Sequence, residues 1–525
     1  MNTSLCLGAL CLYLVITLVV GSWTRRYSAT ANSFLYANRS LPLPVVAASY
    51  LAANSGALEA VGLGAMAAQY GVQAFHFYWI GAIPALVVVG LWIMPLYRRS
   101  GVLSIPEWLE LRYGPRIRLL NACMLLVMLP LLGGIGLYAS SLLLQTLTGV
   151  RFITGLWVAA GVVLAYVLLG GIRATMYTEV LQLLILVAGF APLAIVAARR
   201  LHSLPTVDEG MKTHLWTSLP LAQPRSAIDV ASITLGLGFV LSFGYWCTDF
   251  VLMQRAFAAR TDSDAQKVPL LAGFGKLLLS MLVVLPGLAA ARTIPGLGST
   301  LRFDQATPAF MQQSYGPILL ALGFTAISAS LTSALSSNVT AFGAVFMSDV
   351  YRRYVAPARS DRHYLLVGRT ALVVATFTSV LASYLSFHFG NLMEQSQLIF
   401  ATFAAPFWAV VLFGFLARKV SESAALIGFF TGTSVAIAHY VAFSYGYLPY
   451  GSNMTANFYS AIYSFSAAAF TTVLAAQFLP NLKSLDSPGL LIAWKDLRAV
   501  RHDRGIWILS LTLVASCALL NYWWR

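Results

Sequence analysis

Charge is what this chain has least of. Lys, Arg, Asp and Glu make up 10% of its 525 residues, where a soluble protein carries about 25%. Acidic residues are scarcer than basic ones, 18 against 33. Cysteine is limited to Cys6, Cys11, Cys123, Cys247 and Cys517, all within apolar runs, which argues against disulfides and leaves them as packing residues. There is no GxxxxGK[ST] loop, no HExxH, no GxSxG and no metal-ligand spacing. A nucleotide-binding unit is therefore excluded, and no enzyme chemistry is indicated.

What fills the space is apolar sequence, 59% of all residues. Runs of 18 or more such residues recur along the whole chain, as bilayer-crossing helices require. Fourteen spans are expected, near 3–22, 43–70, 76–97, 119–148, 152–171, 175–199, 227–253, 268–292, 316–347, 364–388, 391–417, 421–445, 457–479 and 505–523. The chain thus reads as an all-α polytopic membrane protein of about 14 transmembrane helices. The first run lacks a preceding basic region and is followed by Arg25 and Arg26, so it reads as a retained helix rather than a cleaved signal.

The formal charge of +15 does not point to nucleic acid, because the basic residues sit in short loops between apolar runs. Arg98, Arg99, Arg112, Arg116 and Arg118 share one loop, and Arg352, Arg353, Arg359 and Arg362 another. Lys483 to Arg504 makes a third on the same side. Assigning the basic-rich loops to the cytoplasm places both termini outside a cell membrane. Two outer loops, about 200–226 and 293–315, are long enough for short capping helices.

Polar residues inside spans are few and therefore informative. The second span contains Ser49-Tyr50-Leu51-Ala52-Ala53-Asn54-Ser55-Gly56-Ala57-Leu58-Glu59. A carboxylate at that depth costs about 3 kcal/mol on insertion scales. Small polar residues with glycine mark a broken helix whose free carbonyls can hold a cation. The seventh span, with Gly236, Gly238 and Gly244 ahead of Tyr245, Trp246, Thr248 and Asp249, is a second candidate, and two interrupted helices five spans apart suggest paired repeats. In the ninth, Ser330, Ser333 and Ser337 share a helix face with Ser336 at its edge. Such oxygens suit a hard monovalent cation, but the same ladder also serves close helix packing, its hydroxyls bonded back to carbonyls. His76, between Phe75 and Phe77, reads as interfacial; Asp249 and Arg255 read as a structural network.

Several motifs together resemble the sodium:solute symporter family, which includes the sodium–glucose symporters. They are SYLAANSGALEAVG (49–62), RSGVLSIPEWLELRYG (99–114), GGIRATMYTEVLQ (170–182), YWCTDFVLMQRAFAAR (245–260), GFGKLLLSMLVVLPGL (273–288), SLTSALSSN (330–338), FMSDVY (346–351) and ATFAAPFWAVVLFGF (401–415). The resemblance implies a five-plus-five inverted-repeat core with broken helices. The core would run over 41–420, with an extra helix and cytoplasmic loop at 1–40 and added helices at 421–525. It implies symport driven by a sodium gradient through alternating access, with sodium as co-transported ion, a small polar solute as cargo and no organic cofactor.

Position by position, the resemblance implies a sodium site at Ala52, Ser55, Ser330, Ser333 and Ala334, the first three through backbone carbonyls. Ala334 departs from the pattern, since the family usually offers a hydroxyl there. A second cation site would fall on Glu179, Ser333, Ser336 and Ser337. Solute contacts would fall on Asn54, Glu59, Tyr78, Tyr245, Trp246, Lys276, Leu398 and Ala401. Asn54, Tyr245, Trp246 and Lys276 keep the sugar-type character. Glu59, Tyr78 and Leu398 do not, and losing several hydrogen-bond groups weakens a sugar site. A sugar or polyol comes first as solute. Proton-coupled transport or uniport of an organic acid or amine, and a solute sensor without flux, stand as alternatives.

Overall fold

A computed structural model of the chain describes residues 3–24, 34, 39–56, 58–102, 104–203, 228–479, 490–491 and 503–524. The expected capping helix in 200–226 and most of the basic loop beginning at Lys483 lie outside the described residues. The α-helices used below are α1 (Thr3–Thr24), α2 (Leu43–Asn54), α3 (Ile105–Arg112), α4 (Pro115–Thr148) and α5 (Phe152–Ser203). They continue with α6 (Ser242–Thr248), α7 (Phe250–Phe257), α8 (Asp262–Thr293), α9 (Pro317–Val345), α10 (Asp361–Ser383), α11 (Leu392–Ile399), α12 (Ala405–Leu416), α13 (Glu422–Ser444), α14 (Asn453–Phe478) and α15 (Arg504–Trp523).

Among the described residues, 12 helices are long and apolar enough to cross a membrane, and 13 if the bent pair Ser232–Thr248 and Phe250–Phe257 is one span. The expected second span is divided at the α2 break, and its boundary with the third is present. The stretch from Leu58 to Arg99 is interrupted at Gly71 (φ 70°), which opens a 3-10 segment to Phe75, and again by a turn at 80–82. α5 consists of two helices, Phe152–Leu169 and Gly171–His202, which match two expected spans and are separated by a kink where Gly171 takes φ 60°. A side chain is strained at that φ, and a Cβ there would also lie 2.5 Å from the Phe34 carbonyl. The 293–315 segment carries the expected short helices, Phe303–Gln305 and Ala306–Ser314.

The described residues cluster into two compact units. The first draws on 1–75, 125–213 and 277–396, and the second on 76–124, 214–276 and 397–525.

In the first unit, α5 packs along α9, and α1 and α2 pack against both. Without hydrophobic driving force between helices in lipid, such packing relies on small residues and interhelical hydrogen bonds. The polar ties here are buried. Tyr13 of α1 lies 2.6 Å from Thr332 of α9, and the Gln182 amide of α5 donates to the Tyr13 hydroxyl at 2.8 Å.

In the second unit, α12, α13 and α14 pack together, and α14 also covers the π-helical segment Ser232–Leu241. The charged end of the RSGVLSIPEWLELRYG motif explains itself here. Arg112 is buried, and its guanidinium donates to the carbonyls of Gly414 (2.6 Å), Ala417 (2.6 Å) and Val420 (3.2 Å). It thereby caps the last turn of α12 at Gly414 and holds the turn from Ala417 to Val420 that follows. The span 232–257 bends by 46° at Asp249, whose carboxylate accepts from the Leu252 amide at 2.9 Å and so starts α7 as its N-cap.

Candidate functional site

α2 ends because Ser55 leaves helical geometry (φ −91°, ψ 54°) and turns its hydroxyl back onto the Leu51 carbonyl at 2.7 Å. Short polar side chains compete for backbone partners in this way and favour helix ends. A π-helical turn, Leu58–Leu63, follows the break. The Ala52 carbonyl accepts locally from the Ser55 amide at 2.9 Å and the Gly56 carbonyl from the Glu59 and Ala60 amides, and α9 adds donors across the gap. The Ser330 hydroxyl donates to the carbonyls of Ser55 and Gly56, the latter at 3.0 Å. The Ser333 hydroxyl donates to the Ala52 carbonyl at 3.2 Å. Four of the five residues carried over for sodium, Ala52, Ser55, Ser330 and Ser333, are thus joined by hydrogen bonds. All four are buried.

The fifth, Ala334, packs on the break itself. A Cβ built on Gly56 would lie 2.2 Å from the Ala334 Cβ, so only glycine allows this approach. Chemically the cluster is a set of neutral oxygens with the Ala334 methyl beside them. Each hydroxyl keeps lone pairs beyond the proton it donates. A monovalent cation that prefers oxygen can replace those protons as the partner of the carbonyls. The sequence reading took Ser330 through its carbonyl; in the structure its hydroxyl makes the cross-helix bonds.

The serine ladder divides in function along its length. Ser336 and Ser337 bond back to the Ser333 carbonyl at 2.9 and 2.8 Å, the packing behaviour. Ser337 also donates to Glu179 Oε1 at 2.5 Å, and Ser49 donates to Glu179 Oε2. Glu179 is fully buried, and these two bonds tie α5 to α9 and to α2. Ser49 was absent from the expected set, since its partner lies 130 residues away. Its only signal was membership of the SYLAANSG motif.

The solute residues divide between the units. Asn54 and Glu59 belong to the first, and Tyr78, Tyr245, Trp246, Lys276, Leu398 and Ala401 to the second. Glu59 is buried on the π-helical turn. In the second unit Lys276 is 1% exposed, with Nζ 5.4 Å from the Tyr78 ring centre and 5.7 Å from that of Trp246. A buried ammonium held over two aromatic faces is a cation–π arrangement. The Trp246 indole donates to the Gly81 carbonyl at 2.9 Å, which fixes its plane. Tyr245 packs edge-on to Trp246 and against Phe400, which the sequence reading did not single out. Ala401 is buried beside Phe400 and Leu398 is partly exposed. Two further readings change. His76 is completely buried rather than interfacial. Cys11 and Cys123 are exposed, while Cys6, Cys247 and Cys517 pack inside.

Comparison with known proteins gives this arrangement its context. The sodium/glucose cotransporter of Vibrio parahaemolyticus is 27% identical over 491 residues, covering 88% of this chain and 89% of that protein. The sodium/mannose cotransporter of Bos taurus is 26% identical, covering 82% and 77% respectively. A Na+-coupled sialic acid symporter, solved in a substrate-bound outward-open state, superposes with a TM-score of 0.78 at 18% identity, over 91% of this chain and 99% of that one. The nucleobase-cation-symport-1 transporter Mhp1 follows at 0.54, with 12% identity, 86% of this chain and 96% of that one. These likenesses show the fold, the inverted-repeat transporter architecture expected from the motifs. The family model for sodium:solute symporters matches residues 34–432. The chain belongs to the sodium:solute symporter family, multi-pass membrane transporters with sodium as co-transported ion.

Proposed function

We propose that this symporter carries a sugar or polyol, and that its sodium ion binds where α2 breaks against α9. One observation carries the second half: the hydroxyls of Ser330 and Ser333 reach across to the carbonyls of Ala52, Ser55 and Gly56. Sodium entering this cluster displaces the hydroxyl–carbonyl hydrogen bonds: the two hydroxyls keep their protons, turn them away and offer lone pairs, so one positive charge is shared by oxygens of both helices. It therefore ties the end of α2 to α9, and its loss releases them. That is a local two-state element of the kind alternating access requires.

The sugar assignment is supported by relatives named for glucose and mannose. It is also supported by the retained Asn54, Tyr245, Trp246 and Lys276. Solute contact at all eight carried-over positions rests on the motifs. A second cation site at Glu179, Ser333, Ser336 and Ser337 draws support from the Glu179 carboxylate taking two hydroxyl donors. A core at 41–420 with flanking helices draws support from the family model's match to residues 34–432. Basic-rich loops support external termini.

The methyl of Ala334 favours one rival, proton coupling through Glu179. Uptake into proteoliposomes, screened across sugars, polyols, organic acids and amines with and without sodium, separates the two. Sodium-driven sugar uptake supports the proposal; uptake that follows a pH gradient and ignores sodium supports the rival.

A further inference from the structure

Where α9 passes into the π-helical segment Phe346–Val355 and α10 returns beside it, the first unit opens a groove of about 290 Å³. Phe342, Phe346 and Tyr351 form one wall, and Leu366, Thr370 and Val374 form the other. The Phe342 and Phe346 rings stack with their centres 6.4 Å apart. The α10 wall is open on its outer side, with Leu366 63% and Val374 46% exposed. Both walls belong to helices apolar enough to cross a membrane, so the medium against this groove is lipid. From Leu366 to Val374 the groove follows α10 for about 12 Å, the rise of eight helical residues.

One end of the groove is polar and held in place. The Tyr351 hydroxyl and His363 Nε2 share a hydrogen bond of 2.9 Å between the two helices. Tyr364 is buried; its hydroxyl donates to the Ala356 carbonyl at 2.6 Å and accepts from the Arg359 amide at 3.0 Å. The Arg352 guanidinium lies 5.2 Å from the centre of the Tyr364 ring. One tyrosine thus fixes the turn that joins the two walls. Arg352, Arg353, Arg359 and Arg362 stand on this turn or beside it, and all four are exposed. Arg359 and Arg362 make no ion pair among the described residues. Of the two neighbouring carboxylates, Asp349 is buried, and Asp361 sits in the first turn of α10, where it answers the helix dipole. Four guanidinium groups against one exposed carboxylate leave standing positive charge at the mouth of an apolar groove. Arg362 lies one turn ahead of Leu366, on the groove face of α10.

We propose that this groove is a binding site for one anionic phospholipid, with an acyl chain between the α9 and α10 walls and the phosphate-bearing head on Arg359 and Arg362. Guanidinium groups meet phosphate oxygens with two parallel hydrogen bonds, and basic residues at the membrane surface favour anionic lipid. A basic loop by itself attracts such lipids without holding any one of them. Here the groove gives the chain a place and the fixed turn gives the head one. A zwitterionic head brings an ammonium into the same positive field and binds less well. The occupied groove steadies the end of α9, the helix that also carries Ser330 and Ser333.

The test uses the full-length protein in detergent without sodium or sugar, so it is independent of both assignments. Phosphatidylglycerol and phosphatidylcholine carrying the same photoactivatable diazirine acyl chain are cross-linked to it, and the labelled peptides are mapped. The expected result is labelling of the groove residues about tenfold stronger with phosphatidylglycerol at equal concentration, as surface cation contacts of this kind give. Excess unlabelled phosphatidylglycerol competes, and glycerol phosphate, which has no chain, does not. In Arg359→Gln combined with Arg362→Gln, phosphatidylglycerol labels no more than phosphatidylcholine. In Val374→Trp, which fills the groove, both lipids lose the site. Equal labelling by the two lipids in the wild type, no labelling of the groove, or competition by glycerol phosphate overturns the proposal. So does a preference that survives the double glutamine change, or labelling undiminished in Val374→Trp. The wild-type comparison of head groups needs no variant and decides the matter even where a substitution impairs folding.

Discussion

Gly56 and Ala334 meet so closely that a Cβ on the glycine would lie 2.2 Å from the alanine methyl. The break in α2 is thus pressed against α9 at the one position where the motif lacks its usual hydroxyl. The contact makes the two residues a matched pair. Gly56→Ala forces the break or α9 to move, and overpacking of this kind costs about 1–3 kcal/mol. The expected outcome is a lower thermal stability and loss of uptake. Gly56→Ala combined with Ala334→Gly restores much of both, which a double-mutant cycle on thermal stability measures. Simple additivity of the two changes would contradict the pairing.

Glu179 is held by two hydroxyl donors from two different helices. Hydrogen bonds to a charged group contribute about 1.5–3 kcal/mol each, and Glu179→Gln weakens both by removing the charge. If the carboxylate serves a second cation, the sodium-activation curve of uptake is cooperative in the wild type and loses its cooperativity in Glu179→Gln. Unchanged cooperativity would reduce Glu179 to a structural tie between α5, α2 and α9.

Asp304 makes stability depend on pH with a sign opposite to most carboxylates. Its folded-state pKa, raised by burial to about 6 from 3.8, means the folded protein holds its proton longer than the unfolded chain. The group therefore favours folding most below pH 3.8, and this contribution is lost as pH rises through about 6. Asp304→Asn keeps an oxygen for the Leu392 amide and removes the charge. The variant is expected to gain stability relative to wild type as pH rises from 4 to 7, followed by thermal unfolding. A constant difference across that range would show that the carboxyl titrates normally.

Much of the architecture was legible in the sequence because lipid imposes one rule: long apolar runs become helices. The α2 break was legible for the same reason, since Asn54, Ser55 and Gly56 have no ordinary place inside such a run. What the pattern could not give was partners. Helical spacing puts Ser330, Ser333, Ser336 and Ser337 on adjoining faces, yet the first two reach α2, Ser336 bonds back to its own helix, and Ser337 does so while also donating to Glu179 of α5. That difference is set by how close α2 comes, which the Gly56–Ala334 contact fixes from 278 residues apart in the numbering. Ser49 was missed because its partner Glu179 is likewise remote. His76 was misread because flanking aromatics mark a membrane interface and a buried packing site equally well.

The central claim is that sodium binds between the α2 break and the serines of α9. Sodium-activated uptake of the sugar found to be transported, measured in proteoliposomes for wild type and Ser333→Ala, tests it most directly. Removing one oxygen ligand is expected to raise the sodium concentration for half-maximal uptake about tenfold, equivalent to 1.4 kcal/mol, in correctly folded protein. An unchanged sodium dependence in Ser333→Ala would contradict the account.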